Sequence, residues 1–196
     1  YDWTISNMLC FPVSIENEQA IIMKKSHSDK EGYFGFLNID NSKENSLLWG
    51  KVVETAYKNN IKKLRGPIQG STYFPYRFIS YNNGMNFFKG EFFSMPADND
   101  YILSCKPNNI INYKSAIRED FNEILKITKP VYNKLVEKGL RIEVLNNPDL
   151  DFYKEIYKIT NATFSENWGY ENLSFDEFLK FANSNQSNQS KLSMHK

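Results

Sequence analysis

The chain has 196 residues, and its 24 basic side chains (Lys and Arg) nearly balance its 23 acidic ones (Asp and Glu), for a formal net charge of +1. This balance lacks the basic excess that is typical of nucleic-acid binders, so we predict no nucleic-acid partner. The sequence contains no apolar run of the ~20 residues that a membrane-spanning helix needs, so we predict a cytoplasmic protein without a membrane partner.

The first elements are predicted to form a strand–strand–helix–strand series. Segments 20–26 and 32–39 are typical of strands, joined by the polar turn HSDKE. Apolar residues then recur at i, i+3, i+4 and i+7, which predicts an amphipathic helix from about residue 44 to residue 59. The short apolar segment 62–68 follows as a strand, stopped by a Gly-Pro pair. The last three elements predict a βαβ unit, whose two strands run parallel.

The remainder is predicted to be mainly helical, after a long ordered loop over residues 72–96. The predicted elements are a short helix 97–106, a strand 109–117, helical residues 119–138, a strand 140–145, and helices 150–163 and 174–182. Pro130 favours a break within the third of these, because a proline inside a helix removes a backbone hydrogen bond. Residues 183–196 are polar and of low complexity, and predict a tail outside the core.

The sequence lacks the common motifs of nucleotide, zinc and redox chemistry. It contains no glycine-rich phosphate loop, no H-E-x-x-H and no C-x-x-C. Its two histidines, His27 and His195, lie in polar segments, so we predict neither a metal site nor a Ser-His-Asp triad. Cys10 and Cys105 are far apart in apolar surroundings and are predicted to be reduced, buried thiols.

The stretch LRGPIQGST is the first candidate site, because it follows a predicted parallel strand, where α/β sheets collect ligands. Gly66 permits close approach, and Gln69, Ser71 and Thr72 carry hydrogen-bonding side chains. Arg65 is predicted to contact an anion or to form a surface ion pair. A tight turn whose hydroxyls bond to their own backbone explains the same residues, and both interpretations are open.

The stretch SENWGY, residues 165–170, is the second candidate. Trp168, followed by Gly169, is predicted either to line a small-molecule pocket or to fill a corner between two helices. The second interpretation is favoured, because a buried tryptophan is usually a packing residue.

Three stretches of the chain resemble a bacterial branch of the GNAT superfamily, the acyl-CoA N-acyltransferase fold. They are GYFGFLNIDN, KLRGPIQGST and NATFSENWGYENLSFDEF. The resemblance covers residues 32–182 and is loose over 82–108. It implies an α/β (α+β) fold, with a GNAT-like mixed sheet and a central βαβ unit flanked by helices. It also implies a first GNAT-like unit over 1–118 and, over 119–182, a linking helix and the opening of a second unit, followed by the 183–196 tail.

The resemblance implies acyl transfer from acyl-CoA to an amine, without a metal. Thr72, Ser71 and the N–H groups after Gly66 would polarise the thioester carbonyl. GNAT enzymes bind the CoA pyrophosphate in an R/Q-x-x-G-x-G/A loop at a helix N-terminus, and the matching loop 38–44 has no glycine and two carboxylates.

That departure leaves a second hypothesis open, a non-catalytic GNAT fold that binds a ligand or partner. A third, an aminoacyl-tRNA-dependent transferase with tandem GNAT-like units, is disfavoured by the net charge of +1.

Overall fold

A computed structural model describes most of the chain and divides it into two compact units. The described residues are 2–40, 47–81, 84, 92, 94–117, 119–141 and 148–190, with backbone alone for 184–190. The first unit comprises residues 1–107 and 157–196, and the second comprises residues 108–156. The fold is mixed α/β, and its described part contains one four-stranded mixed sheet and six helices.

The sheet lies in the first unit and has the strand order β1-β2-β3-β4. Its strands are β1 (Leu9–Ile15), β2 (Glu18–Lys24), β3 (Glu31–Asn38) and β4 (Lys63–Arg65). The first three pair antiparallel, whereas β3 and β4 run parallel. This confirms the predicted βαβ unit, the two strands of which pair side by side in the same direction.

Strand β1 was not predicted, and its sequence LCFPVSI shows why. Pro12 lies in the middle of the strand, and a proline cannot donate a hydrogen bond to a neighbouring strand. The residue is tolerated because β1 is the first strand in the sheet order and therefore an edge strand.

Helix α2 (Leu48–Lys58) covers one face of the sheet, as its amphipathic pattern predicts. Leu48, Val52 and Ala56 are buried and form one cluster with core residues of β1 and β2. Burial of this stripe holds the helix, which connects β3 to β4 in the chain, against β1 and β2. The predicted first residues of the helix, 44–46, lie outside the described residues.

The other face of the sheet packs against α1 (Asp2–Asn7), a six-residue helix too short to show periodicity in the sequence. Met8, Ile21 and Met23 form the core of this second cluster. Trp3 of α1 and Tyr33 of β3 pack against it. The alternation of Ile21 and Ile22 between the two clusters follows from the twofold period of a strand.

Three predicted helices are confirmed. They are α3 (Pro96–Ser104), α5 (Leu150–Phe164) and α6 (Phe175–Ser190). Helix α6 continues eight residues beyond the predicted end at residue 182, so the first polar residues of the predicted tail have a helical backbone.

Two predictions in the second unit are wrong. Residues 109–117 form no strand, because their alternating side chains are all exposed and pair with no described strand. Helix α4 (Phe121–Glu137) is continuous through Pro130, so the predicted break is also absent. No residue of α4 is buried, and its apolar side chains are exposed apart from that of Ile124, which is half-buried. The predicted strand 140–145 lies largely outside the described residues.

Candidate functional site

The GPIQGST stretch leaves β4 and stays in close backbone contact with β3. The Ile68 N–H donates to the Phe34 carbonyl at 2.9 Å. A Cβ on Gly35 would lie 2.1 Å from the Ile68 carbonyl oxygen, and one on Gly66 would lie 2.4 Å from the Phe34 carbonyl oxygen. Both glycines are therefore required because two backbones touch, which leaves no ligand-sized gap between the chains at this level.

The same stretch is bound on its next side to helix α1. The Thr4 hydroxyl, which is almost completely buried, donates to the Gln69 carbonyl at 2.8 Å. Gly70 has φ of +96°, and a Cβ there would lie 2.9 Å from the Thr4 hydroxyl oxygen. Gln69 thus contributes a backbone carbonyl to packing.

The two sequence motifs, 100 positions apart, meet in the structure. The Ser71 hydroxyl donates to the Glu171 carbonyl at 3.3 Å and accepts from the Glu171 N–H at 3.2 Å. The Thr72 N–H donates to the Gly169 carbonyl at 2.9 Å. Gly169 has φ of +71° and packs on Ile68 and Thr72. The side chain of Ser71 is completely buried, so its hydroxyl fixes the junction of the motifs.

Arg65 and Trp168 complete the predicted set, and both lie outside this junction of backbones. Arg65 forms an ion pair with Glu31 at 2.9 Å, in line with the surface-pair interpretation. Trp168 is half-buried in the turn after α5. The predicted roles of the six residues in ligand binding stay predictions.

A polar chain borders the junction. The Tyr33 hydroxyl donates to one Glu171 oxygen at 3.4 Å, and Lys25 pairs with the other at 2.8 Å. Burial raises the pKa of Tyr33 to about 12, and the negative charge of Glu171 acts in the same direction. The phenol is therefore neutral and serves as a hydrogen-bond donor at physiological pH.

A second polar chain fixes the aromatic rings on the far side of the loop. The hydroxyls of Tyr73 and Tyr170 lie 3.0 Å apart, and Tyr170 donates to Asn161 at 2.7 Å. Burial, followed by the hydrogen bond with Tyr170, raises the pKa of Tyr73 above its ordinary value. The ring of Phe181 stands edge-on to that of Tyr73, with centroids 5.3 Å apart.

A groove of about 280 Å³ opens beside this junction. We name it the α1–α6 groove, and its lining residues are Trp3, Phe74, Leu173, Glu177, Lys180 and Phe181. Four of the six are apolar or aromatic. The lining does not include Trp168, so the second candidate motif contributes to the groove only through the segment that follows it.

Glu177 is the acidic residue of the groove, and Ser174 holds it in place. The Ser174 N–H and hydroxyl both donate to its Oε2 at 2.7 Å, as the capping-box spacing at the start of α6 requires. Burial acts to raise the pKa of Glu177, but three other effects outweigh it. They are the hydrogen bonds from Ser174, the proximity of the Trp3 indole N–H and the positive charge of Lys180. The pKa is therefore lower than usual, and the group is ionised at neutral pH.

The Trp3 indole nitrogen is buried and, among the described residues, has no partner in good hydrogen-bond geometry. It lies close enough to the Glu177 carboxylate to help lower its pKa. A buried donor with so weak a partner is costly, and this one lies in a wall of the groove.

Sequence reasoning missed the groove and the polar chain. Tyr33 and Glu171 are 138 positions apart, and no local pattern links them. The capping box identifies Glu177 as a helix-start residue, but it does not show that Trp3 lies beside it. The groove and the polar chain both form where segments distant in the sequence come into contact.

Within the described ranges, no group of three or more His, Cys, Asp or Glu side chains is placed to hold a metal ion. Helices in the same ranges include none with the length and apolar character needed to cross a membrane. Cys10 and Cys105 are free and half-buried.

No protein-family model, curated protein or solved structure matches this chain.

Proposed function

We propose that this chain is a GNAT-like acyltransferase, or part of one, that transfers an acyl group from acyl-CoA to an amine. The observation that carries the proposal is the arrangement of strands β1–β3, antiparallel, followed by α2 and the parallel strand β4. In the family that the sequence resembles, the later part of the unit also contains a strand, a helix and a second strand in this order, which supports the proposal. In this chemistry the protein mainly positions the two reactants and polarises the thioester carbonyl.

Two observations favour a second candidate function, a GNAT-like unit that binds a ligand or partner without acyl transfer. The Asp40 N–H donates to the buried Glu18 carboxylate at 3.1 Å, so this amide of the loop before α2 already has an anionic acceptor. The loop carries Asp40 and Glu44 and no glycine, and negative charge at a helix start opposes a pyrophosphate. These residues do not fit the pyrophosphate, and no catalytic step is assigned to them.

The close contact of β3 with the loop after β4 also favours the second candidate function. The backbones of Gly35 and Ile68 touch, so the pair of strands does not open there for an extended thiol arm. The Ser71 hydroxyl is buried and bonded to Glu171. It therefore stabilises the fold and is not free to polarise a thioester carbonyl.

Binding of radiolabelled acetyl-CoA, measured by equilibrium dialysis, separates the two candidates. Saturable binding that free CoA displaces supports acyl transfer. Absence of binding up to millimolar concentration favours the non-catalytic unit.

A loop variant sharpens the result. The pair Asp40→Gly and Glu44→Gly removes two carboxylates and adds two glycines, and we expect it to strengthen acetyl-CoA binding about tenfold if only the loop limits affinity. The matched control is Glu119→Gly with Glu166→Gly, which makes the same change of charge at exposed positions in other segments of the chain. Equal binding by the two variants would show that the loop is not the pyrophosphate site.

A further inference from the structure

The α1–α6 groove has three aromatic side chains from three separate segments. Trp3 lies in α1, Phe74 in the loop after β4 and Phe181 in α6. The rings of Trp3 and Phe74 are 5.4 Å apart and tilted by 39°. The edge-on contact with Tyr73 fixes Phe181. The faces of such rings carry partial negative charge and attract cations within about 6 Å.

One fixed carboxylate accompanies these rings. Ser174 holds Glu177 through its Oε2 atom, and the Trp3 indole N–H and Lys180 lie close enough to influence the same carboxylate. Lys180 lies on the next turn of α6, at the rim, and its side chain is exposed. The groove therefore combines apolar walls with one fixed negative charge, that of Glu177, while the positive charge of Lys180 lies on an exposed side chain.

We propose that the α1–α6 groove binds a small organic cation, with its ammonium group among Trp3, Phe74 and Phe181 and with Glu177 as the counter-charge. A groove of about 280 Å³ accommodates a substituted amine or a quaternary ammonium ion and excludes a large cofactor. The proposal rests on the three lining rings and the charge of Glu177, and it does not depend on acyl transfer.

The first test compares a cation with a neutral molecule of the same shape. Choline and 3,3-dimethylbutan-1-ol differ mainly in the charged nitrogen. Titrations are followed through the Trp3 indole N–H signal in ¹⁵N NMR spectra, identified by its loss in Trp3→Phe. We expect choline to bind about tenfold more tightly than the alcohol. Equal or weaker binding of choline would overturn the proposal.

Variants of the wall and the rim test the role of each part. Phe181→Leu keeps an apolar wall and loses the ring, and should weaken choline binding about fivefold while leaving the alcohol unchanged. Glu177→Gln keeps a capping acceptor for Ser174 and removes the charge, and should also weaken choline. Lys180→Gln removes the repelling charge and should strengthen it. Unchanged choline binding in all three folded variants, or preferential binding of 3,3-dimethylbutanoate by the unmodified chain, would show that the groove is not a cation site.

Discussion

The Ser71 hydroxyl accepts a hydrogen bond of 3.2 Å from the Glu171 N–H, although the two residues are 100 positions apart. The same hydroxyl donates to the Glu171 carbonyl and lies 3.4 Å from the Tyr73 N–H. One buried oxygen therefore joins the loop after β4 to the segment between α5 and α6. The same segment carries Tyr170 and the Glu171 carboxylate to which Tyr33 donates.

Ser71→Ala is expected to destabilise the chain by about 1–3 kcal/mol, because it leaves two partly buried N–H groups without their acceptor. Urea unfolding followed by circular dichroism measures the loss. Ser28→Ala is the matched control, since Ser28 is exposed and bonds only to the hydroxyl of Ser26 among the contacts described. Its expected effect is within about 0.5 kcal/mol. Similar stability of the two variants would refute the structural role of Ser71.

The sequence predicted the parallel pair β3 and β4 because its signals are local. The stripe of Val52 and Ala56 has helical spacing, and Gly66-Pro67 stops the strand that follows. By contrast, the pattern over residues 109–117 alternates as in a strand, but a strand also requires a neighbour, and none of the described strands pairs with it. Alternation alone therefore gave a wrong prediction.

The candidate site was predicted in part. Both motifs were identified, but the sequence did not show that Ser71 and Gly169 belong to one junction. Hydroxyl side chains that suggest a binding loop also suit a buried junction, and only long-range contacts distinguish the two. The predicted break at Pro130 is wrong because an interior proline disturbs the helix only locally. The turns of α4 on either side of it stay helical.

Gly35→Ala is expected to destabilise the chain by at least about 2 kcal/mol, because its Cβ would lie 2.1 Å from the Ile68 carbonyl and a backbone must move. Gly50→Ala is the matched control, since a Cβ on this exposed helical residue meets no described atom within 4 Å. Alanine favours the helix there, so a gain of about 0.5–1 kcal/mol is expected. Urea unfolding measures both, and equal effects of the two substitutions would exclude close contact at Gly35.

Tyr33 provides a pH-dependent prediction. Its pKa is raised from the ordinary 10 to about 12, first by burial and then by Glu171. The folded state thus favours the neutral phenol, so its contribution to stability is complete below pH ~10 and is lost as the pH rises toward ~12. NMR of tyrosine labelled with ¹³C at Cζ follows the titration.

Two variants separate the causes of that shift. Glu171→Gln removes the negative charge and should lower the pKa of Tyr33, which stays above its ordinary value because burial persists. Lys25→Gln removes the ion-pair partner of Glu171 and leaves the carboxylate, so it should not lower the pKa. A Tyr33 that titrates near its ordinary value in the unmodified chain would contradict the described environment.

Gly169→Ala should cost more than a left-handed backbone alone explains. Gly169 and Gly139 both have positive φ, of +71° and +93°, which costs about 1–2 kcal/mol for alanine. A Cβ on Gly169 would lie 2.7 Å from Ile68 Cδ1, an atom of a completely buried side chain, whereas one on Gly139 would meet no described residue within 4 Å. Ile68→Val removes that methyl group, so it should recover part of the cost of Gly169→Ala, but none of the cost of Gly139→Ala. Urea unfolding of the single and double variants measures this coupling, and strict additivity at both glycines would rule out the contact between the two motifs.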